Sequence, residues 1–169
     1  MKRVELSVET STAASEALSR IRDFETFPLH SDVIRSVRTR QAGVAAESEW
    51  EVSFRQGLLT WVERDSVDVD RLTLEFRLVD GDFDVFEGWW AVVSGAQTSR
   101  VYFSCAFDFG IPSMAGLLEP VAARVLSTSI RQVLGGLLDD VHDLDPQSRA
   151  GGGGSHPGKE AGGEGEGDE

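Results

Sequence analysis

Hydrophobic and polar residues alternate with a period of two through the middle of the chain, which is typical of strands with one buried face. In the segment that begins at Leu72, every second residue up to Leu78 is apolar, whereas the residues between them are Thr73, Glu75 and Arg77. The joints between such segments are short and rich in Gly and Asp, which favours hairpins and therefore an antiparallel sheet. Six strands are predicted in this region, at residues 33–40, 44–54, 58–69, 72–79, 83–93 and 100–109.

A strand and two short helices are predicted before this region. Residues 3–9 alternate in the same way, and this first strand can pair beside the last one, which limits the exposed edges of the sheet. Alanine and leucine then recur at helical spacing over 13–22, after a run of N-cap candidates. Residues 23–30 keep apolar residues three apart and predict a second short helix, which ends at Pro28.

The last apolar segment has helical spacing, and a long amphipathic helix is predicted to begin at Pro120. Because a proline inside a helix costs about 3 kcal/mol, residues 113–119 are predicted to form a separate turn, with a kink near Glu119. The apolar stripe of the helix consists of Ala122, Leu126, Ile130, Val133, Leu137 and Val141.

Together these elements predict an α+β fold in which a curved seven-stranded antiparallel sheet wraps around one long C-terminal helix, with two short helices after the first strand. A strongly curved sheet around a single helix leaves space between the two layers. Concave, mostly apolar cavities bind small hydrophobic molecules, so a hydrophobic small molecule is the predicted partner.

Composition divides the chain into a domain and a tail. An apolar content of 40% over 169 residues suffices for one hydrophobic core, and the domain is predicted to span 1–145. Residues 146–169 are rich in Gly and Glu and contain almost no large apolar side chain. Such a segment cannot offset the entropy of ordering its backbone, which predicts a disordered acidic tail.

Charge and cysteine content narrow the function classes further. The net charge of −13 and the lack of a basic run argue against a nucleic-acid partner. Cys105 is the single cysteine, so no disulfide can form within the chain. With no signal-type apolar core at the N-terminus, a cytoplasmic location is predicted. Membrane contact is disfavoured by the acidic residues Asp139, Asp140 and Asp143 near the end of the last helix.

Metal and nucleotide chemistry have little support in the sequence. The three histidines and the lone cysteine are not at ligand spacing, so no metal site is predicted. No Gly-rich phosphate loop follows any strand, and no cofactor is predicted.

Three segments carry a resemblance to a known family: 24–28 (Phe-Glu-Thr-Phe-Pro), 78–90 (Leu-Val-Asp-Gly-Asp-Phe-Asp-Val-Phe-Glu-Gly-Trp-Trp) and 107–112 (Phe-Asp-Phe-Gly-Ile-Pro). With this order of elements, the chain resembles the START/Bet v 1-like helix-grip superfamily, in its branch of polyketide cyclases/dehydrases and coenzyme Q-binding proteins. The resemblance implies one of two functions. The first is aldol cyclisation and dehydration of an aromatic polyketide, with an acyl carrier protein as a further partner. The second is non-catalytic binding of a quinone or lipid.

The resemblance also indicates where this chain departs from the cyclases. In that family a cavity tyrosine and an arginine hold the poly-β-ketone and assist its closure. The matching positions here are Val33 and Asp65, and Arg64 is one residue out of register. A one-residue slip on a strand places a side chain on the other face. If the protein is a cyclase, it lacks the usual Tyr/Arg pair.

Candidate site residues follow from the strand that contains Trp61. Glu63 and Asp65 share its face, so if Trp61 faces the cavity, two carboxylates follow it inward, raise each other's pKa and serve as acid and base. The alternative is that both emerge into solvent where the strand ends. His30, which follows Pro28 near the expected cavity mouth, is a third catalytic candidate. The predicted ligand-binding residues are Phe54, Leu59, Trp61, Phe76, Phe86, Trp89, Trp90, Phe107, Leu126 and Ile130.

Overall fold

A computed structural model describes residues 1–144, and its main element is one antiparallel sheet. The strands are β1 (Lys2–Thr10), β2 (Ile34–Ala42), β3 (Ala45–Phe54), β4 (Gly57–Asp68), β5 (Thr73–Gly81), β6 (Val85–Ser94), β7 (Ser99–Asp108) and β8 (His142–Asp143). Their order in the sheet is β2-β3-β4-β5-β6-β7-β1-β8. As predicted, β1 lies beside β7. The sheet has eight strands rather than seven because the two-residue β8 pairs with β1.

The helices are α1 (Ala14–Ile21), a 3-10 helix (Phe24–Leu29) and α2 (Pro112–Leu137). The structure has the predicted α+β helix-grip arrangement of a curved antiparallel sheet and one long C-terminal helix. The second short helix is of the 3-10 type, which agrees with its apolar spacing: Phe24 and Phe27 are three apart and both are buried.

The start of α2 differs from the prediction. The helix begins at Pro112 and continues through Pro120, so the expected break between a short turn and a helix beginning at Pro120 is wrong. Pro112 occupies the first helical turn, where its missing N–H costs nothing. Pro120 deprives only the carbonyl of Gly116 of its helical partner, and Gly116 is exposed, so water can satisfy that carbonyl.

The two ends of α2 are in different surroundings. At the C-terminal end, the Asp139 N–H donates to Thr12 Oγ1 (2.9 Å) and Arg20 Nη1 donates to the Leu137 carbonyl (2.9 Å). These bonds join the helix end to α1 and to the loop between β1 and α1. The N-terminal half leaves Met114 and Leu117 exposed. The helix is therefore fixed at its C-terminal end and open to solvent at the other.

Candidate functional site

A cavity of about 70 Å³ lies between the concave face of the sheet and the helices. The 3-10 helix, strands β2 to β7 and α2 all contribute to its walls. It is lined by Phe24, Phe27, Ile34, Trp50, Val52, Phe54, Leu59, Trp61, Glu63, Phe76, Phe83, Phe86, Trp90, Phe103, Phe107, Ala122, Val125, Leu126, Ser129 and Ile130. Among these side chains, Glu63 is the single ionisable one.

The cavity is narrow compared with drug-sized pockets, which span about 300–1,000 Å³. A ligand larger than one ring must therefore displace side chains. The lining residues that are only partly buried include Phe54, Leu59, Val125 and Leu126, from the β3–β4 hairpin and the middle of α2. These four side chains mark the side on which the cavity approaches solvent.

Cross-strand pairing arranges the aromatic walls. Trp50 on β3 is paired with Trp61 on β4, and their rings are stacked with centroids 5.7 Å apart and planes inclined by 3°. Phe86 lies 4.8 Å from Trp61 and Phe83 lies 4.8 Å from Phe86, again between ring centroids. Flat, offset surfaces of this kind pack favourably against further rings.

A buried cluster of two carboxyl groups and one hydroxyl group adjoins this aromatic wall, and one of its members, Glu63, lines the cavity. Glu63 and Asp65 are 3% and 5% exposed, so the alternative that they emerge into solvent is wrong. Ser48 Oγ lies 2.6 Å from Asp65 Oδ2 and 3.3 Å from Glu63 Oε1. Trp50 Nε1 donates to Ser48 Oγ (2.8 Å), and Trp61 Nε1 donates to Glu63 Oε2 (3.0 Å).

Burial decides the protonation of this pair. Desolvation, followed by the charge of Asp65, raises the pKa of Glu63 well above its ordinary value. Desolvation also raises the pKa of Asp65 to about 6, against the opposing effect of hydrogen bonds from Glu63 and Ser48. Glu63 faces the cavity, whereas Asp65 lies behind it, and Asp65 Oδ1 is buried without a hydrogen-bond partner among the described residues.

Nine of the ten predicted ligand-binding side chains line the cavity, and Trp89 does not. Trp89 lies on the outer face of the sheet and is 42% exposed. The reason is the alternation of β6, which directs neighbouring residues to opposite faces, and Trp90 takes the inner one. The binding role of the nine lining residues stays a prediction.

The structure does not bring His30 to the carboxyl pair. Its imidazole packs against Gly136 near the C-terminal end of α2, and it is not part of the cavity lining. Arg64 points to the outer face, where it approaches Glu47 (3.4 Å). Neither side chain therefore replaces the missing tyrosine and arginine.

Sequence reasoning missed Ser48 and Ser129 as site residues. Ser48 shares a strand face with Trp50, which the alternation shows, but its meeting with Glu63 depends on the β3–β4 register. Ser129 is a polar residue on the inner face of α2, and its hydroxyl donates to the Val125 carbonyl of its own helix (2.6 Å). No pattern in the sequence marks either contact.

Metal-binding clusters and membrane-spanning helices are both missing from the described part of the chain. Within residues 1–144, no group of three or more His, Cys, Asp or Glu side chains could hold a metal ion. Over the same residues, no helix combines the length and the apolar character needed to cross a membrane.

Solved structures of similar fold come from several bacteria. The protein TTHA0849 from Thermus thermophilus is 21% identical over 80% of this chain and 94% of that chain, with a TM-score of 0.72. The Zhui aromatase/cyclase from Streptomyces sp. R1128 is 17% identical over 80% and 93%, with a TM-score of 0.66. A START superfamily protein from Mycobacterium smegmatis is 16% identical over 80% and 96%, with a TM-score of 0.68. At these identities the similarity shows the fold.

Sequence comparison gives the family. No curated protein matches the chain. The family model described as "Polyketide cyclase / dehydrase and lipid transport" matches residues 11–133, which include most of the sheet and most of α2. Because this match extends over more than half of the sequence, the chain belongs to the polyketide cyclase/dehydrase and lipid transport family.

Proposed function

We propose that the protein binds an aromatic polyketide in this cavity and promotes its aldol cyclisation and dehydration. The observation that carries the proposal is the composition of the cavity: aromatic side chains form most of its wall, and one ionisable group, Glu63, faces the interior. The family match and the hydrophobic lining support a small hydrophobic ligand. That this ligand is a polyketide is the part that requires an experiment.

Glu63 is the proposed catalytic residue. Aldol closure needs a group that moves a proton at the carbon between two carbonyls, and dehydration needs a proton for the departing hydroxyl. Flat walls hold the chain in the geometry that favours ring closure. Asp65 is the second acidic candidate, although it is not among the residues that line the cavity. His30 is excluded from the proposal because it packs against α2 instead.

The size of the cavity limits what enters first. A volume of about 70 Å³ accepts the ring-forming end of a polyketide rather than its whole length. The partly buried Val125 and Leu126 of α2 then have to move aside for the remainder. An acyl carrier protein that presents the chain at this opening stays a prediction.

The test combines binding and turnover. 1-Naphthol serves as the binding probe, and a synthetic oligo-β-ketone serves as the substrate, with its ring products identified by mass spectrometry. Glu63→Gln is expected to retain 1-naphthol binding and to lower the rate of dehydration by about 100-fold or more, the usual contribution of a general acid or base. Unchanged product formation by this variant would reject Glu63 as the catalytic residue.

A cavity-filling pair of variants tests the location of the ligand. Ala122→Leu adds a branched side chain to the cavity wall, and it is expected to weaken 1-naphthol binding at least about 10-fold while the protein stays folded. Thr128→Leu places the same side chain at an exposed position of α2 and serves as the control. Equal binding by the two variants would place the ligand elsewhere.

A second candidate function is non-catalytic transport of a quinone or lipid. It is favoured by one observation: the positions that correspond to the cyclase tyrosine and arginine hold Val33 and Asp65. In that case a short-chain prenylquinone binds in the cavity, Ala122→Leu weakens its binding, and Glu63→Gln has no activity to lose. A prenylquinone that copurifies with the protein, with no cyclised product in the assay, would select this function.

A further inference from the structure

We propose that Glu63 and Asp65 hold a single proton between them, and that Ser48, oriented by the indole of Trp50, makes Asp65 the charged partner and Glu63 the protonated one. Both carboxyl groups approach the same hydroxyl oxygen, at 2.6 Å for Asp65 and 3.3 Å for Glu63. Ser48 and Asp65 are then positioning residues, which act on the ligand only through Glu63.

The surroundings of Glu63 and Asp65 do not favour the ionisation of both carboxyl groups. Two negative charges that contact the same hydroxyl oxygen, away from water, repel each other strongly, and an unpaired buried charge is costly. Over residues 1–144, the hydrogen bonds that reach the pair from other residues come from Ser48 and Trp61, and none comes from a Lys, Arg or His side chain. The nearby basic residue Arg64 points to the other face of β4 and approaches Glu47 instead.

The hydrogen count at Ser48 decides which partner carries the proton. A serine hydroxyl has one hydrogen to donate and two lone pairs to accept with. The Trp50 N–H occupies one lone pair, and the shorter contact, to Asp65 Oδ2, takes the hydrogen. Asp65 is thereby stabilised as the anion. Glu63 Oε2 already accepts from the Trp61 N–H, which leaves Oε1 as the oxygen that bears the shared proton.

The other groups that face the pair do not offset its charge. The neighbours on β5 are apolar, with Phe76 opposite Asp65 and Leu78 opposite Glu63. On β7 the titratable neighbour is Cys105, whose thiol pKa is raised mainly by burial. From α2, Ser129 faces the cavity, and its hydrogen is bound within the helix.

The use of this proton in catalysis rests on the proposed function. A carboxyl pair that holds one proton contains one acid and one base. It can therefore donate a proton and accept another without exchange with water. In the dehydration of a β-hydroxy ketone, Glu63 passes its proton to Asp65 and then takes the proton from the α-carbon. The pair returns one proton to the departing hydroxyl, which leaves as water when the carbon–carbon double bond forms. The pair ends with one proton, as it began.

Carboxyl-detected NMR tests the proposal on the full chain without a ligand. With ¹³C-labelled Glu and Asp carboxyl groups, a titration from pH 4 to pH 9 is expected to show one Glu carboxyl still protonated at neutral pH. Ser48→Ala is expected to raise the titration midpoint of Asp65 by about one pH unit, because the carboxylate loses its donor. Asp65→Asn is expected to lower that of Glu63, because the neighbouring charge is gone.

Glu47→Gln is the matched control. Like Glu63 and Asp65, Glu47 is a buried carboxylate, but it is on β3 and its side chain belongs to the outer face of the sheet. It should leave both midpoints unchanged. If Glu63 and Asp65 are both ionised at pH 7 in the wild-type protein, the proposal is wrong, and this measurement needs no variant to fold. A Glu63 midpoint that is the same in wild type and Asp65→Asn would also overturn it. Because no ligand is used, failure here is distinct from failure of 1-naphthol to bind.

Discussion

The carboxyl pair makes folding depend on pH at the scale of single residues. The folded pKa of Asp65 is raised from an ordinary value of 3.8 to about 6, and that of Glu63 is also raised. A raised carboxyl pKa means that the folded state binds the proton more tightly than the unfolded state. The associated stability is complete below about pH 4 and is lost as the pH rises through the folded pKa.

Asp65→Asn should therefore stabilise the protein at neutral pH. At about 1.4 kcal/mol per pKa unit, the rise of the Asp65 pKa corresponds to a cost on the order of 2–3 kcal/mol at pH 8 that the amide avoids. Urea unfolding at pH 4.5 and pH 8 measures the difference between variant and wild type. The gain should be large at pH 8 and shrink at pH 4.5.

The pKa of Glu47 is shifted in the opposite direction, so its ionisation has the opposite effect on stability. Hydrogen bonds from Arg40 lower the pKa of Glu47, so this carboxylate favours folding when it is ionised. Glu47→Gln is expected to lower stability at pH 8, in contrast to Asp65→Asn. Equal effects of the two substitutions would mean that burial and charge pairing do not distinguish these two carboxyl groups.

For single residues, the sequence predicted on which face of a strand a side chain lies, but not which other side chain it contacts. Strand alternation placed Trp61, Glu63 and Asp65 on one face, and the structure has all three buried there. It could not predict that Ser48 bridges the two carboxyl groups, because that contact requires the register between β3 and β4. Adjacent tryptophans show the same limit: Trp89 and Trp90 are chemically alike, and only the phase of the strand separates them.

At the scale of elements, α2 combines two neighbouring glycines in different surroundings. A methyl group added at Gly135 would meet open space, whereas one added at Gly136 would collide with the imidazole of His30. Neither glycine has a positive φ, so both positions accept an L-residue backbone. Substitutions at these two glycines therefore distinguish the effect of helix propensity from the effect of packing.

Gly135→Ala is expected to stabilise the protein by about 0.5–1 kcal/mol, the difference in helix propensity. Gly136→Ala is expected to destabilise it, because the same gain is outweighed by displacement of His30. Thermal unfolding monitored by circular dichroism measures both. The double variant His30→Ala with Gly136→Ala should recover stability relative to Gly136→Ala alone, and an absence of recovery would show that His30 is not the obstacle.

The long helix also shows why element boundaries were harder to predict than element types. The helical period identified α2, but Pro120 suggested its start eight residues too late. Proline excludes one hydrogen bond, and its cost depends on whether the freed carbonyl reaches water. That exposure is a property of the folded chain, so the local sequence around Gly116 does not contain it.

At the scale of the whole molecule, the order of elements determined the fold prediction. Long alternating segments joined by short turns leave few arrangements other than an antiparallel sheet, and one remaining amphipathic helix has to cover its apolar face. The strand β8 could not be predicted in this way, since two residues have no periodicity. It is created by the return of the chain after α2, where the Leu144 N–H donates to the Ser7 carbonyl (2.9 Å).

The division into a domain of 1–145 and a tail of 146–169 stays a prediction, and the tail lies outside the described residues. Residues 146–169 contain almost no large apolar side chain that could add to the hydrophobic core. A chain that ends at Asp145 is therefore expected to keep its helical and strand content by circular dichroism and a Tm close to that of the full chain. A marked loss of Tm would show that the last 24 residues contribute to the fold.

The stacked indoles of Trp50 and Trp61 have one more consequence. Together with Trp90 they place three of the four tryptophans against the cavity, all of them buried, while Trp89 alone is exposed. Intrinsic fluorescence thus separates into a shielded population beside the cavity and a single emitter on the outer face that iodide can quench. An electron-accepting ligand in the cavity would quench the fluorescence of Trp50, Trp61 and Trp90 but not that of Trp89. Tryptophan fluorescence therefore reports whether the cavity is occupied.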